Sequence, residues 1–234
     1  MQKHVGSAVV VALAAGTVSV VGVARATGPE QPAKQAAPAA AAGEKPKAEA
    51  AKAEAPAGPK PLAVGTKAPS GITLTNAAGE KVALDSLYAK KPVVLVFYRG
   101  GWCPFCNKHL AAWESKLPEL KAAGAEIIAV AMEKPSELTA TKEKDKLSYT
   151  LLNDADGSAS KQFGLLFDVD AKTKQVYEGY KIDLAAKNSN GQWQLPHPGT
   201  FVIDTAGVVR YSQANADYKV RTPPEDVIAA VKSL

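Results

Sequence analysis

Short runs rich in Val, Ile and Leu alternate with stretches in which apolar residues recur every three or four positions. Short apolar runs are typical of buried strands, and the longer period is typical of amphipathic helices. The pattern predicts strands at Ile72 to Thr75, Lys81 to Leu84, Val93 to Tyr98, Ala125 to Met132, Tyr149 to Leu152, Thr200 to Asp204 and Val208 to Ser212. It predicts helices at Pro104 to about Ala123, Pro135 to about Lys146, Ser158 to Phe163 and Pro224 to Val231.

Strands that alternate with helices and end in a hairpin and a closing helix predict an α/β domain. Its central mixed β-sheet should be covered by helices on both faces. Pro118 falls inside the first long helix, where it should kink the helix or split it in two. Residues 177–193 are longer than a minimal connection and are expected to form a helical insertion near the active site.

The N-terminal quarter differs in composition and cannot join this core. Residues 1–26 combine a cationic start, a small apolar run and the site Ala24-Arg25-Ala26, which predicts a cleaved signal peptide. An uncleaved membrane tether is the alternative. Residues 27–61 are rich in Ala, Pro, Lys and Glu and predict a disordered linker. We therefore expect export to the periplasm or cell envelope, with residues 62–234 as the folded domain.

The charge of the chain argues against a nucleic-acid partner. The formal net charge of the full chain is +5, and residues 1–26 contribute Lys3 and Arg25 without any acid, so the mature chain would carry +3. This surplus is small, and its lysines are mixed with acidic residues.

Both cysteines of the chain lie in FYRGGWCPFCNKH, directly after a predicted strand and at the start of a predicted helix. Cys103 is expected at the helix N-cap, where free backbone N–H groups and the helix dipole favour the thiolate. Pro104 would then occupy the first helical position, which proline tolerates. Cys103 is the predicted nucleophile. Cys106, one turn deeper and less exposed, is the predicted resolving cysteine.

Four stretches carry a resemblance to a known family: VALDSLYAKKPVVLVFYRGGWCPFC, EIIAVAMEKPSEL, YTLLNDADGSASKQFGL and PHPGTFVIDTAGVVRY. The segment resembles the peroxiredoxin-like branch of the thioredoxin fold, also described as the alkyl hydroperoxide reductase and thiol-specific antioxidant family. The resemblance implies a thioredoxin-like fold, a redox-active dithiol, no cofactor and an external thiol reductant.

The same resemblance gives expectations for the late loop. His197-Pro198 is similar to the cis-proline loop of thioredoxin folds, which implies a cis Pro198 and places His197 near Cys103. Pro198, Gly199 and Thr200 would then bind the substrate, with Trp102 beside the dithiol. A protonated His197 would favour the Cys103 thiolate, and a neutral one could accept a proton during disulfide exchange, so His197 is a candidate catalytic residue. It could also be an ordinary loop histidine that is hydrogen-bonded to backbone.

The sequence departs from typical peroxiredoxins in front of the cysteine. These proteins carry a proline and a hydroxyl residue before the peroxidatic cysteine and an arginine near the late FVID-like strand. Here the loop is Arg99-Gly-Gly-Trp102, and residues 192–199 contain no arginine. Peroxide cleavage needs donors for the departing oxygen, so Arg99 is the candidate substitute.

Three functions remain open from the sequence. Cys103 could reduce a hydroperoxide, with Cys106 closing a disulfide. Cys103 could instead attack a protein disulfide, as envelope thiol-disulfide oxidoreductases do. A third, different class is a copper or zinc site formed by Cys103, Cys106, His109 and His197.

Overall fold

The computed structural model of the protein describes residues 58–234. The predicted signal peptide, residues 1–26, lies outside the described residues, and so does most of the predicted linker, residues 27–61. The strands are β1 Thr73–Thr75, β2 Lys81–Ala83, β3 Val93–Phe97, β4 Glu126–Ala131, β5 Thr150–Asn153, β6 Leu166–Asp168, β7 Gln194–Pro196, β8 Gly199–Ile203 and β9 Val209–Ala214. The helices are α1 Leu84–Tyr88, α2 Pro104–Ala122, α3 Pro135–Lys144, α4 Ser158–Gln162, α5 Ala171–Gly179, α6 Leu184–Lys187 and α7 Pro224–Lys232.

Seven of these strands form one mixed sheet in the spatial order β2, β1, β5, β4, β3, β8, β9. Strand β3 lies inside this sheet, where it pairs in parallel with β4 and antiparallel with β8. Strand β5 continues the parallel part beside β4, and β9 forms the far edge beside β8. The remaining pair, β6 and β7, forms a separate antiparallel ribbon.

Helices cover both faces of the sheet, so the predicted architecture is confirmed. On one face, α2, α3 and α7 contribute Leu110, Trp113, Leu138 and Val227 to a core that also contains both cysteines. On the other face, α1 and α4 contribute to a second core built around Phe97 and Phe201. Because β3 and β4 are parallel, their carboxyl ends lie at the same edge, where α2 begins.

Helix α2 is one continuous element through Pro118, so of the two predicted effects of this proline, a kink or a split, the split does not occur. A proline inside a helix removes one hydrogen bond and costs about 3 kcal/mol. Leu117 and Leu120 are buried on either side of it, and burial of a leucine side chain stabilises by about 1.5–3 kcal/mol. The burial of these two leucine side chains therefore offsets the free-energy cost of the proline.

The sequence pattern missed several short elements, namely α1 and the ribbon of β6 and β7. Each has only three to five residues, too few to show a period. The expected helical insertion at residues 177–193 is helical only in part: α5 begins earlier, at Ala171, and ends at Gly179, and α6 covers Leu184–Lys187. Within residues 58–234, no helix is both long enough and apolar enough to cross a membrane.

Candidate redox-active site

The chain reaches the dithiol through a tight loop that follows β3. The N–H of Gly101 donates to Glu133 Oε2 at 2.8 Å, and its carbonyl accepts from Lys144 Nζ at 2.6 Å and Asn107 Nδ2 at 2.9 Å. A Cβ on Gly101 would lie 1.8 Å from Thr141 Oγ1. The loop is therefore packed directly against α3 and the end of β4, and this packing requires glycine.

Cys103 is the N-cap residue of α2, with extended backbone angles φ −90° and ψ 113°, and Pro104 follows at the first helical turn. A hydrogen bond from the Cys106 side chain is the main cause that lowers the pKa of the Cys103 thiol to about 6. The Cys106 backbone N–H and the cations Arg99 and Arg221 lower this pKa further, against the opposing effect of burial. Cys103 is thus mostly a thiolate at neutral pH.

Cys106 has the opposite character. Burial raises the pKa of its thiol well above the ordinary value, and the hydrogen bond that it donates to Cys103 and the negative charge of Cys103 act in the same direction. Both thiols are free rather than joined in a disulfide. Cys106 is 1% exposed and Cys103 is 2% exposed, so Cys106 is the less exposed residue, as expected, but only by a small margin. Burial in one core hides both sulfurs.

Arg99 lies next to the dithiol, as its position in the sequence suggested. The residue is only 4% exposed, and this burial lowers its pKa, while the charges of Cys103 and Cys106 favour the protonated form. Its guanidinium carbon lies 5.2 Å from the ring centre of Trp102, 5.5 Å from that of Tyr177 and 4.3 Å from that of Tyr218. Three aromatic rings therefore enclose this cation.

Arg221 is a second cation at the site, and sequence reasoning missed it. Its Nη2 donates to Cys106 Sγ at 3.4 Å, and its Nη1 donates to the carbonyls of Val220, at 2.9 Å, and Tyr218. The residue is 115 positions from Cys106, in the segment between β9 and α7. A single arginine in a polar segment gives no signal in sequence, so only the tertiary structure identifies it.

Glu133 is the other residue that the sequence did not single out. It follows β4 and is fully buried, and one of its carboxylate oxygens, Oε1, has no hydrogen-bond partner within the described residues. Burial raises the pKa of this carboxyl to about 7, against the hydrogen bond from Gly101. A titratable group therefore lies directly beneath the loop that leads to Cys103.

His109 and His197 do not join the cysteines in a metal site. The ring of His109 forms a hydrogen bond between Nε2 and the Thr222 carbonyl at 3.0 Å, and burial lowers its pKa to about 4. The ring of His197 stacks on Phe167 with centres 4.3 Å apart. Across the described part of the chain, no group of three or more Cys, His, Asp or Glu side chains could hold a metal ion. The four-ligand set that the sequence left open as an alternative is not assembled among the described residues.

The expectation of a cis Pro198 was wrong, since residues 58–234 contain no cis peptide bond. His197 and Pro198 lie between β7 and β8, and the backbone of each forms a hydrogen bond with another segment. The His197 N–H donates to the Leu165 carbonyl at 2.9 Å, and the Pro198 carbonyl accepts from the Asn215 N–H at 3.2 Å. The trans backbone satisfies both contacts. The catalytic role of His197 stays a prediction.

Pro198, Gly199 and Thr200 line a cavity of about 10 Å³, enough for one water-sized group. Arg221 and His109 line it as well. Arg221 thus connects this cavity to the Cys106 sulfur. Trp102 is not part of the cavity lining, since its ring packs against Tyr177 with centres 5.4 Å apart. The four predicted substrate-binding residues therefore fall into two separate places.

Solved structures share this architecture. Peroxidoxin BcpB from Mycobacterium tuberculosis superposes with a TM-score of 0.58 at 20% identity, covering 74% of this chain and 98% of that chain. Reduced Prx3 from Vibrio vulnificus in complex with H2O2 superposes with a TM-score of 0.59 at 24% identity, covering 73% and 99%. At this level of identity the similarity supports the thioredoxin-like fold that the resemblance implied.

Sequence relatives agree with the fold. Chloroplastic peroxiredoxin Q from Suaeda salsa is 32% identical over 142 residues, which are 61% of this chain and 56% of that protein. The chain thus spans little more than half of this plant relative. Peroxiredoxin Bcp from Escherichia coli (strain K12) is 29% identical over an alignment of 128 residues, and the match covers 47% of this chain and 81% of that protein. The profile of the AhpC/TSA family matches residues 64–212, and the chain therefore belongs to the AhpC/TSA family.

Proposed function

We propose that the protein is a thiol peroxidase that reduces hydroperoxides through a dithiol-disulfide cycle of Cys103 and Cys106. One observation carries the proposal: a Cys103 thiol with a pKa near 6 lies beside a protonated Cys106 thiol and two arginine side chains. The nucleophile is already ionised, the second thiol still holds its proton, and the cations face developing negative charge. The names of the relatives support the same reading.

In the first step, the Cys103 thiolate attacks the outer oxygen of the hydroperoxide ROOH. An S–O bond forms, the O–O bond breaks, Cys103 becomes a sulfenic acid, and the alkoxide RO⁻ takes up a proton to leave as the alcohol. Donors directed at the departing oxygen accelerate such a step. Arg99 and Arg221 supply guanidinium groups at this place, which compensates for the family arginine that residues 192–199 lack.

In the second step, Cys106 loses its proton and attacks the Cys103 sulfenic sulfur. An S–S bond forms and the hydroxyl of the sulfenic acid leaves as water, so the peroxide oxygen has been reduced at the expense of two thiols. The pKa of Cys106 lies far above neutral pH, so this cysteine does not compete with Cys103 for the peroxide. An external dithiol must then reduce the disulfide by thiol-disulfide exchange.

A second candidate function is exchange with protein disulfides. The supporting observation is the apolar surface beside the dithiol, where Phe105 is 41% and Tyr218 is 38% exposed and their rings pack edge to face 5.7 Å apart. Exposed aromatic rings at an active site suit a peptide chain as substrate. The low pKa of Cys103 serves attack on a disulfide as well as on a peroxide.

Stopped-flow fluorescence distinguishes the two functions. The reduced protein is mixed at pH 7 with H2O2, with cumene hydroperoxide and with a model protein disulfide. A thiol with a pKa near 6 is about nine tenths ionised at pH 7, whereas a free cysteine with a pKa of about 8.5 is about 3% ionised. Ionisation alone thus explains an acceleration of about thirtyfold. A peroxide reaction that exceeds the rate of a free cysteine by much more than thirtyfold supports the peroxidase. A peroxide reaction below that rate, together with rapid disulfide exchange, supports the alternative.

Cysteine variants test the two roles. Cys106→Ser should consume one equivalent of peroxide and stop at a Cys103 sulfenic acid, which a dimedone adduct detects by mass. Cys103→Ser should abolish the reaction with both substrates. Equal trapping by the two variants would contradict the assignment of nucleophile and resolving cysteine.

We further propose that the protein is exported to the periplasm or cell envelope, where a thiol reductant has to supply its electrons. The support is the pattern of residues 1–26 and the composition of residues 27–61. Cell fractionation, with the mass of the purified N-terminus, tests this. A protein that begins after Ala26 supports cleavage, an intact N-terminus in the membrane fraction supports a tether, and recovery in the cytoplasm contradicts export.

A further inference from the structure

Arg99 is held by rings that come from three separate segments. Trp102 belongs to the loop before α2, Tyr177 to α5, and Tyr218 to the segment between β9 and α7. Within residues 58–234, Arg99 forms no salt bridge and its Nε has no hydrogen-bond partner. The orientation of this buried cation therefore depends on aromatic contacts rather than on a carboxylate.

The Tyr177 ring comes from α5, a helix that contributes no residue to the protein core. None of its nine residues is buried. Its N-terminus is capped by Asp170, which accepts from the Thr173 N–H at 2.9 Å, and Lys174 Nζ lies 4.8 Å from the ring centre of Trp193. Tyr177 is the residue of this helix that contacts Arg99 and Trp102, with ring centres of Tyr177 and Trp102 5.4 Å apart.

We propose that Tyr177 is a positioning residue that holds the Arg99 guanidinium beside the dithiol, so that α5 controls the reactivity of Cys103. A cation next to a thiolate stabilises it only while the distance stays short. Tyr177 restrains Arg99 from one side and packs against Trp102, the residue that precedes Cys103. Without this ring, the long arginine side chain has fewer contacts that keep it from turning toward water.

The proposal rests on the proposed function only in that Cys103 is the nucleophile. The charged and titratable groups that face Cys103 are Cys106 from α2, Arg99 from the loop and Arg221 from the segment before α7. Tyr177 is not among the groups that act on the pKa of Cys103 within residues 58–234. Its removal should therefore act through Arg99, which gives the test a specific signature.

The test uses the full-length reduced protein and the rate of iodoacetamide alkylation at Cys103, followed by peptide mass from pH 4 to 9. Tyr177→Leu should move the midpoint of this profile upward by roughly half a pH unit. Tyr177→Phe keeps the ring and should retain the wild-type midpoint. Tyr180→Leu is the matched control, because Tyr180 adjoins the same helix and is 69% exposed. The pH midpoint of Cys103 alkylation in Tyr180→Leu should equal that of the wild type.

A double variant shows whether the effect passes through Arg99. Arg99→Gln alone should raise the midpoint, and adding Tyr177→Leu should then raise it no further. The proposal is overturned if Tyr177→Leu leaves the midpoint unchanged, if Tyr180→Leu shifts it equally, or if the effects of Arg99→Gln and Tyr177→Leu add. Alkylation needs no peroxide, so these results are independent of whether the protein proves to be a peroxidase.

Discussion

Arg221 donates a hydrogen bond from Nη2 to the sulfur of Cys106 at 3.4 Å. Its positive charge also lowers the pKa of both cysteine thiols, so it opposes the burial that raises the pKa of Cys106. Cys106 must become a thiolate to close the disulfide, and Arg221 is the cation in contact with its sulfur. The residue is therefore suited to the resolving step.

Replacing Arg221 with glutamine should slow disulfide formation more than the initial reaction with peroxide. A hydrogen bond to a charged group contributes about 1.5 kcal/mol or more, which corresponds to roughly tenfold in rate. Stopped-flow fluorescence after one equivalent of H2O2 resolves the two phases. Arg210→Gln is the control, because Arg210 pairs with Asp204 at the surface at 2.6 Å. Equal slowing in both variants would rule out a specific role for Arg221.

The parts of the site that could be predicted from sequence are those fixed by local structure. Cys103 and Cys106 follow a strand and begin a helix, and Arg99 adjoins them in the chain, so a short motif brings all three together. Arg221 and Glu133 come from other segments, and their positions depend on how β4 and the segment before α7 pack at the end of the sheet. No periodicity encodes such contacts.

The burial of the two thiols likewise depends on contacts between distant segments, which the sequence pattern does not predict. Gly100 and Gly101 lie just before Trp102 and Cys103, and small residues at such a place would suit an open approach to the sulfur. In the structure, Gly101 instead allows the loop to pack onto Thr141, and the loop thereby helps to bury the sulfur. The glycine indicates that the backbone at residue 101 is closely approached by another group, but only the fold shows that this group is Thr141 of α3 and not a substrate.

Glu133→Gln should alter the pH dependence of stability. Burial raises the pKa of this carboxyl from 4.5 to about 7, so between these values the folded state keeps a proton that the unfolded chain releases. The resulting stabilisation is complete below about pH 4.5 and is lost as pH rises through 7. Glutamine does not ionise. The free energy of unfolding of the variant, relative to wild type, should therefore increase by about 3 kcal/mol between pH 4 and pH 8.

Urea unfolding at pH 4, 6 and 8 measures this difference directly. Glu143→Gln serves as the control, because Glu143 lies on the exposed side of nearby α3. A Glu133→Gln variant whose relative stability is the same at all three values would show that Glu133 titrates in the folded protein as it does in the unfolded chain.

Gly101→Ala should destabilise the fold and disturb the approach to Cys103. The added Cβ would lie 1.8 Å from Thr141 Oγ1 and 3.0 Å from Thr141 Cβ, so rotation of the threonine side chain relieves only part of the clash. Overpacking of this kind costs about 1–3 kcal/mol. The loop must also shift away from Glu133 Oε2, which accepts the hydrogen bond of the Gly101 N–H. The pH midpoint of Cys103 alkylation should therefore change together with the free energy of unfolding.

The clash with Thr141 can be separated from a general effect of alanine in a loop. Thr141→Ala removes the hydroxyl and the methyl group that face Gly101, so the double variant Gly101→Ala/Thr141→Ala should lose less stability than the two single variants added together. Gly179→Ala provides the matched control, since a Cβ there meets nothing within 4 Å and the residue ends α5. That change should be neutral or stabilise by up to about 1 kcal/mol. If the effects of Gly101→Ala and Thr141→Ala on the free energy of unfolding were simply additive, the steric account of this loop would be wrong.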